Sequence, residues 1–353
     1  ISACLVGSEM CIRDRAAGTH GARRGQGPGD PGGMTRKLIL DLDTGIDDTL
    51  ALAYALASPE VELLGVTCTY GNVTVERSVR NTLAVLELFG RGDVPVFAGP
   101  GHARTQTGFE VKEISAFIHG ANGLGEVDIP DAARPVEDAS AVEFLIDAVA
   151  TQGEELTIVP TGPSTTIAAA IEASNVFREN ARVVMMGGAL TVPGNVTAWA
   201  EANIYQDPEA ADIVFRGLRN VTMVGLDVTL KTLLTRKDTA RWAELGTVGG
   251  NFLAAVADYY IGAYATTSPH LGGCGLHDPL AVAAAIDPGL LSTHAINMKV
   301  DLSGPTRGRT IGDETRLNDP DKHTAVALGV DVASFVDELV HRLSVLALAT
   351  PVV

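Results

Sequence analysis

A chain of 353 residues with a net charge of −17 and only 5% aromatic residues has ample length for a large, aliphatic core. A surface this acidic repels phosphate backbones and anionic lipid headgroups, which argues against nucleic acid and membrane surfaces as partners. No apolar run approaches the length of a membrane span, and none of the four cysteines sits in a CxxC pair that would support a zinc or redox centre.

Residues 1–33 differ sharply from the rest of the chain. They are rich in Gly and Arg from Ala16 onward and show neither helical nor strand period. Their longest apolar stretch, Ala3-Cys4-Leu5-Val6, is too short for a secretory signal. The run Cys4–Arg15 resembles translated sequencing-adapter read-through, and Met34 stands where a start codon is expected. Residues 1–33 are therefore excluded from fold reasoning, and the other reading, a disordered natural tail, leads to the same exclusion. They carry four Arg against three acids, which leaves −18 for the rest. Of the cysteines, Cys4 and Cys11 fall in this leader. Cys68 and Cys274 read as separate packing thiols, which suits a reducing, cytoplasmic location.

From Met34 onward, strand-like runs alternate with helical patterns. Lys37–Leu42 is followed by a helical pattern over Asp48–Ala57, then Leu63–Thr69 by one over Thr74–Phe89. A helical pattern at Ala141–Thr151 precedes the run Leu156–Thr161, and Ser164–Ala173 precedes Arg182–Met186. Asp207–Phe215 leads to Val221–Leu226, and a last apolar run covers Ile296–Leu302. This alternation predicts one α/β domain over residues 34–353, a mostly parallel, Rossmann-like open sheet with helices on both faces. In such sheets ligands bind beyond the carboxyl ends of the strands. Polar residues collect at those ends: Asp41–Asp48, Tyr70-Gly71-Asn72, Thr161-Gly162-Pro163, Gly187-Gly188 and Asp227.

The strongest signal is Asp41-Leu42-Asp43-Thr44-Gly45-Ile46-Asp47-Asp48, four carboxylates in eight residues at a strand-to-helix turn. Three explanations relieve their repulsion. Acids around a helix N-terminus are favoured by its dipole. A hard cation such as Ca²⁺ or Mg²⁺ takes carboxylate oxygens. A D-x-D after a first strand also opens haloacid-dehalogenase-type phosphatases, with Asp41 as nucleophile. The dipole suits one or two acids rather than four. An EF-hand is excluded because position twelve is Leu52 instead of Glu. The phosphatase reading also wants a late acidic pair after a Lys, and the only Asp-Lys dipeptide, Asp321-Lys322, lacks that context. A divalent-metal site is favoured.

DLDTGIDDTLAL (residues 41–52) resembles the N-terminal signature of the inosine-uridine type nucleoside hydrolases. The resemblance continues through TYGNVT (Thr69–Thr74), IHGANGLG (Ile118–Gly125), VPTGP (Val159–Pro163), VVMMGG (Val183–Gly188), GNVTAWAEANIYQDPEAA (Gly194–Ala211), GLDVT (Gly225–Thr229), LHDPLAV (Leu276–Val282) and TRGRT (Thr306–Thr310). Each motif alone is weak, but together, in family order, they are specific. The resemblance implies calcium-dependent, inverting hydrolysis of the N-glycosidic bond of free ribonucleosides, through an oxocarbenium-like transition state, by a homodimer or homotetramer. It makes Asp43 the general base and a metal ligand, with Asp48, Asp278 and the backbone carbonyl of Thr161 completing the metal set. Asp47 and Asn203 match ribose contacts, Asn195 and Glu201 the 5′ side of the sugar, and Asn72 a residue near the reacting centre. Asp41 is expected to buttress the loop.

Other residues stay open between roles. His277, before Asp278 at a helix start, is either a leaving-group contact or proton donor, or a structural imidazole. His119, beside the Gly-rich stretch 120–125, lines a lid or is an ordinary loop histidine. Tyr260 and Tyr264, one helical turn apart, order the base or pack the core. The chain departs from the family at Thr44, often Pro, at Thr166, often Asn, and at Ala202, often Phe, so base preference does not carry over. A nucleoside-binding protein without turnover is the remaining rival, disfavoured because Asp43, Asp48 and Asp278 are all present.

Overall fold

The computed structural model describes residues 35–350, so the expectations for residues 1–33 and for Met34 lie outside the described residues. β1 (Arg36–Leu42) opens on two charged residues and buries its last five, whose apolar side chains alternate between two cores. Leu38, Leu40 and Leu42 pack on one face of the sheet and Ile39 on the other, as the two-residue period of a strand requires. Five more parallel strands succeed it: β2 (Val61–Cys68), β3 (Val96–Ala98), β4 (Leu156–Pro160), β5 (Arg182–Met186) and β6 (Asn220–Val224). Across the sheet they run β3-β2-β1-β4-β5-β6. Thr324–Val330 then pairs in parallel with β6, and Leu291–Ile296 closes the edge antiparallel.

Both faces are covered by helices. On one, Leu50 of the Ile46–Leu56 helix, Leu280 of the His277–Ile286 helix and Leu339 of the Val332–Leu348 helix share a core with Leu253 of the Val248–Thr267 helix. On the other, Leu145, Ile167 and Phe215 from the helices Ala141–Gln152, Thr165–Ala173 and Pro208–Gly217 pack on Ile158, Val183 and Met223. The expected mostly parallel sheet with two helical layers is borne out. Because the chain moves outward from β1 to β3 and then returns to β4 on β1's other side, the strand order reverses between β1 and β4. The crevice beyond their carboxyl ends is where such a fold binds ligands.

Two expected strands differ. The run Val221–Leu226 stops at Val224, because Gly225 turns the chain and Leu226 opens a four-residue helix, Leu226–Thr229. Ile296–Leu302 is not one strand. It breaks at Asn297, whose side chain donates to the Asp321 carbonyl and accepts the His323 N–H. Beyond it, Met298–Val300 leaves the main sheet to pair with Thr310–Gly312.

Candidate active site

The turn after β1 carries its acids into the crevice. Asp41, at the end of the strand, accepts the Thr67 hydroxyl at 2.6 Å while its backbone carbonyl takes the Thr161 N–H, tying β1 to both neighbours. It therefore buttresses the loop, as expected. Burial pushes its carboxyl up to about 7. Thr44 places its hydroxyl 2.6 Å from that of Thr82 and 3.2 Å from that of Ser78 on the next helix, contacts that a proline there could not make.

Asp48 caps its own helix by accepting the Gly45 N–H at 2.9 Å. It also accepts the Thr161 hydroxyl at 2.7 Å, the Asn72 side-chain amide at 3.1 Å and the Asp43 N–H at 3.3 Å. One carboxylate thus joins the loops after β1, β2 and β4. Asp43 accepts the Asn72 N–H at 2.6 Å through Oδ2, and its Oδ1 is buried without a donor. Two glycines make room for it. A Cβ at Gly71 would overlap Asp43 Oδ2, and one at Gly162 would stand 3.0 Å from the Asp43 side chain.

Asp278 enters from the first turn of the His277–Ile286 helix, more than two hundred residues further along the chain. Asp47, Asp48 and Asp278 each bring a carboxylate oxygen within 4.8 Å of the other two. All three are buried, and Asp47 Oδ1 and Asp278 Oδ2 have no donor. Desolvation first, then repulsion among neighbouring acids, raises Asp43, Asp48 and Asp278 above the ordinary carboxylate range. Burial raises Asp47 too, against the pull of His277. Acceptor-only oxygens buried together without donors are costly unless a cation shares them. An all-oxygen donor set of this kind fits a hard divalent ion. The tight triple contains Asp47, expected on the ribose, whereas Asp43 adjoins it through Asp48.

Asn203 donates its amide to the Thr161 carbonyl at 2.7 Å and to the Met186 carbonyl at 3.2 Å, linking the ends of β4 and β5. Glu201 caps the short Ala202–Gln206 helix, accepting the Asn203 and Ile204 N–H groups, and also holds the Gly188 N–H at 2.9 Å. Both residues border the acid cluster. Asn195 does not join it: it is exposed, and its side-chain oxygen accepts the Ala202 N–H at 3.0 Å.

The remaining expected residues form one connected group. His119 ends the Glu113–His119 helix, is buried, and accepts the Ile46 N–H on Nδ1 at 3.2 Å, so its ring proton sits on Nε2. Burial draws its pKa down to about 4, so it is neutral at pH 7 and its 3.7 Å approach to Asp47 is no ion pair. Tyr260, with its ring 5.3 Å from that of His119, donates its hydroxyl to Asp47 at 3.1 Å. Tyr264 packs edge-on against Tyr260 and places its hydroxyl 2.6 Å from His277 Nε2. His277 Nδ1 meets the Thr229 hydroxyl at 2.8 Å. Core packing therefore understates Tyr260 and Tyr264, whose hydroxyls are both committed to site residues.

Sequence reasoning missed Thr229, although it closes the quoted GLDVT motif. Asp227 of the same motif serves the scaffold, accepting the Leu190 and Thr191 N–H groups at 2.9 and 2.8 Å.

A buried acid cluster thus lies at the switch point of a Rossmann-like sheet, where α/β folds of this kind bind their ligands. Residues 38–337 match the sequence model described as inosine-uridine preferring nucleoside hydrolase, and the chain belongs to that family of N-glycosyl hydrolases. It is 36% identical to uridine nucleosidase 1 of Arabidopsis thaliana over 84% of this chain and 88% of that one. It is 35% identical to the pyrimidine-specific ribonucleoside hydrolase RihA of Shigella boydii over 88% of this chain and 99% of that one. Among solved structures, it is similar to a purine-preferring ribonucleoside hydrolase from Gardnerella vaginalis. That likeness has a TM-score of 0.87 and 60% identity over 88% of this chain and 99% of that one. Among the described residues, no helix is long and apolar enough to cross a membrane.

Proposed function

We propose that the unit spanning residues 34–353 hydrolyses free ribonucleosides to base and ribose with inversion, using calcium, as a cytoplasmic homodimer or homotetramer. The observation that carries the metal reading is the buried Asp47, Asp48 and Asp278 triple with its donorless oxygens. Asp48, Asp278, Asp43 and the Thr161 carbonyl would hold the ion. When bound, a divalent cation supplies charge that lowers the pKa of water and grips a sugar diol.

The chain's own groups do the rest. Asp43, with Oδ1 free of donors, accepts the proton of the attacking water on the face opposite the base. Asn72, bound to both Asp43 and Asp48, keeps the base aligned. Asp47 and Asn203 take ribose hydroxyls and Glu201 the 5′ side, which Asn195 would reach only with its side-chain amide, its oxygen being held by the Ala202 N–H. The surrounding carboxylates stabilise positive charge developing on the sugar. His277 and Tyr264 serve the departing base, with His119 and Tyr260 closing that side.

The 60%-identical relative, described as purine-preferring, favours purine ribonucleosides as the better substrates here. The relatives described as uridine- or pyrimidine-directed lie near 35%. Comparing kcat/KM for inosine, guanosine, uridine and cytidine tests this. A clear purine advantage is expected, and a tenfold or larger pyrimidine advantage would overturn the base assignment.

A further inference from the structure

The described residues also line a half-open cavity of about 340 Å³. Its walls are Tyr70 just beyond β2, the loop preceding the Glu113–His119 helix, the end of the Ala202–Gln206 helix and the segment at Arg307. No residue lining it belongs to the acid cluster or to the His119–Tyr260–Tyr264–His277 group.

Two cations converge there in a chain whose net charge is −17. Lys37, Lys299 and Arg104 all have carboxylate partners. Lys112 has none among the described residues. Its ammonium lies 4.8 Å over the Tyr205 ring instead. Partial desolvation lowers its pKa with no acid offsetting the cost. Arg307 gives only Nη2 to Glu209, at 2.8 and 2.9 Å, so its Nε and Nη1 have no partner among the described residues. Gln106 and Gln206 add neutral carboxamides to the walls, and the Gln206 oxygen is buried without a donor. Glu110 is the one acid in the lining.

An unneutralised ammonium beside a part-free guanidinium recognises phosphate oxygens. Carboxamides and a carboxylate recognise hydroxyls. The volume is in the range of small-molecule sites and far exceeds that of one inorganic phosphate. We propose that this cavity binds a small hydroxylated phosphate monoester, its phosphate between Lys112 and Arg307 and its hydroxyls on Gln106, Gln206 and Glu110. No residue given a role in hydrolysis above lines this cavity, so the proposal does not depend on the hydrolase mechanism.

Isothermal titration of the calcium-loaded full chain with ribose 5-phosphate, inorganic phosphate and ribose tests it. Saturable binding of ribose 5-phosphate is expected, with affinity at least ~10-fold above that for inorganic phosphate. The double variant Lys112→Gln, Arg307→Gln should weaken it by at least ~10-fold while leaving nucleoside hydrolysis within about twofold. Lys112→Gln alone, at an exposed helix start, is the fallback if the double variant misfolds and should weaken binding severalfold. No saturable binding, equal affinity for inorganic phosphate, ribose binding as tightly as ribose 5-phosphate, or binding unaffected by either variant would each overturn the proposal.

Discussion

Replacing Asp278 with Asn separates a metal-ligand role from a structural one, because the two roles predict opposite signs without metal. Asp278 is buried, its Oδ2 has no donor, and Asp47, Asp48, Asp43 and Glu201 all disfavour its charge. Without a cation, whether ionised or protonated at neutral pH, this carboxyl costs folding free energy. An amide of the same shape removes that cost, worth about 1–3 kcal/mol. In a domain of this size that is a rise of a few degrees in Tm, about 1.5 °C per kcal/mol. With calcium the order reverses. Wild type gains about 2.7 kcal/mol at a hundredfold excess over Kd, whereas the variant has lost a ligand and gains less. Differential scanning calorimetry at pH 7.5, once with EGTA and once with calcium, reads both states. The variant should melt above wild type in EGTA and below it in calcium. A variant less stable by the same margin in both buffers would refute the reasoning and make Asp278 an ordinary buried polar residue.

The same geometry carries other expected outcomes. Asp43→Asn should keep the fold and lower kcat by a factor of at least ~10², measured by ribose release; near-wild-type turnover would remove Asp43 from the mechanism. His277→Ala should slow inosine far more than a ribonucleoside analogue with a p-nitrophenol leaving group, and an equal loss on both would mean that His277 only supports Asp278. In chelated protein, Asp41 has a folded pKa near 7 against 3.8 unfolded, so the folded state binds the extra proton between those values. Stability from this group therefore falls as pH rises through about 4–7, and Asp41→Asn should flatten that slope in urea titrations. An unchanged slope would mean that Asp41 is not the group responsible.

Much of the site was legible because the informative residues are local. Asp41 to Asp48 lie on one strand end and one helix start, so a single turn sets their grouping. The placement of Asp278 was different. Nothing in its spacing says that the His277–Ile286 helix packs on the Ile46–Leu56 helix, and only the family resemblance put it in the set. The pairing of His277 with Thr229 and Tyr264 depends likewise on three segments meeting in space. At the far edge of the sheet, an apolar run through Asn297 hid the switch from one sheet to another, because the break comes from side-chain hydrogen bonds and not from hydrophobic period. Asn195 shows the opposite limit. Its motif was clear, yet its side chain serves the Ala202 backbone in this structure.

The central claim is metal-dependent cleavage of the nucleoside bond, and proton NMR of inosine mixed with the purified chain tests it most directly. Free hypoxanthine and ribose should accumulate with calcium present, stop on adding excess EGTA, and resume when calcium is restored. Turnover that continues undiminished under the chelator, or inosine that stays intact with calcium in excess, would contradict it.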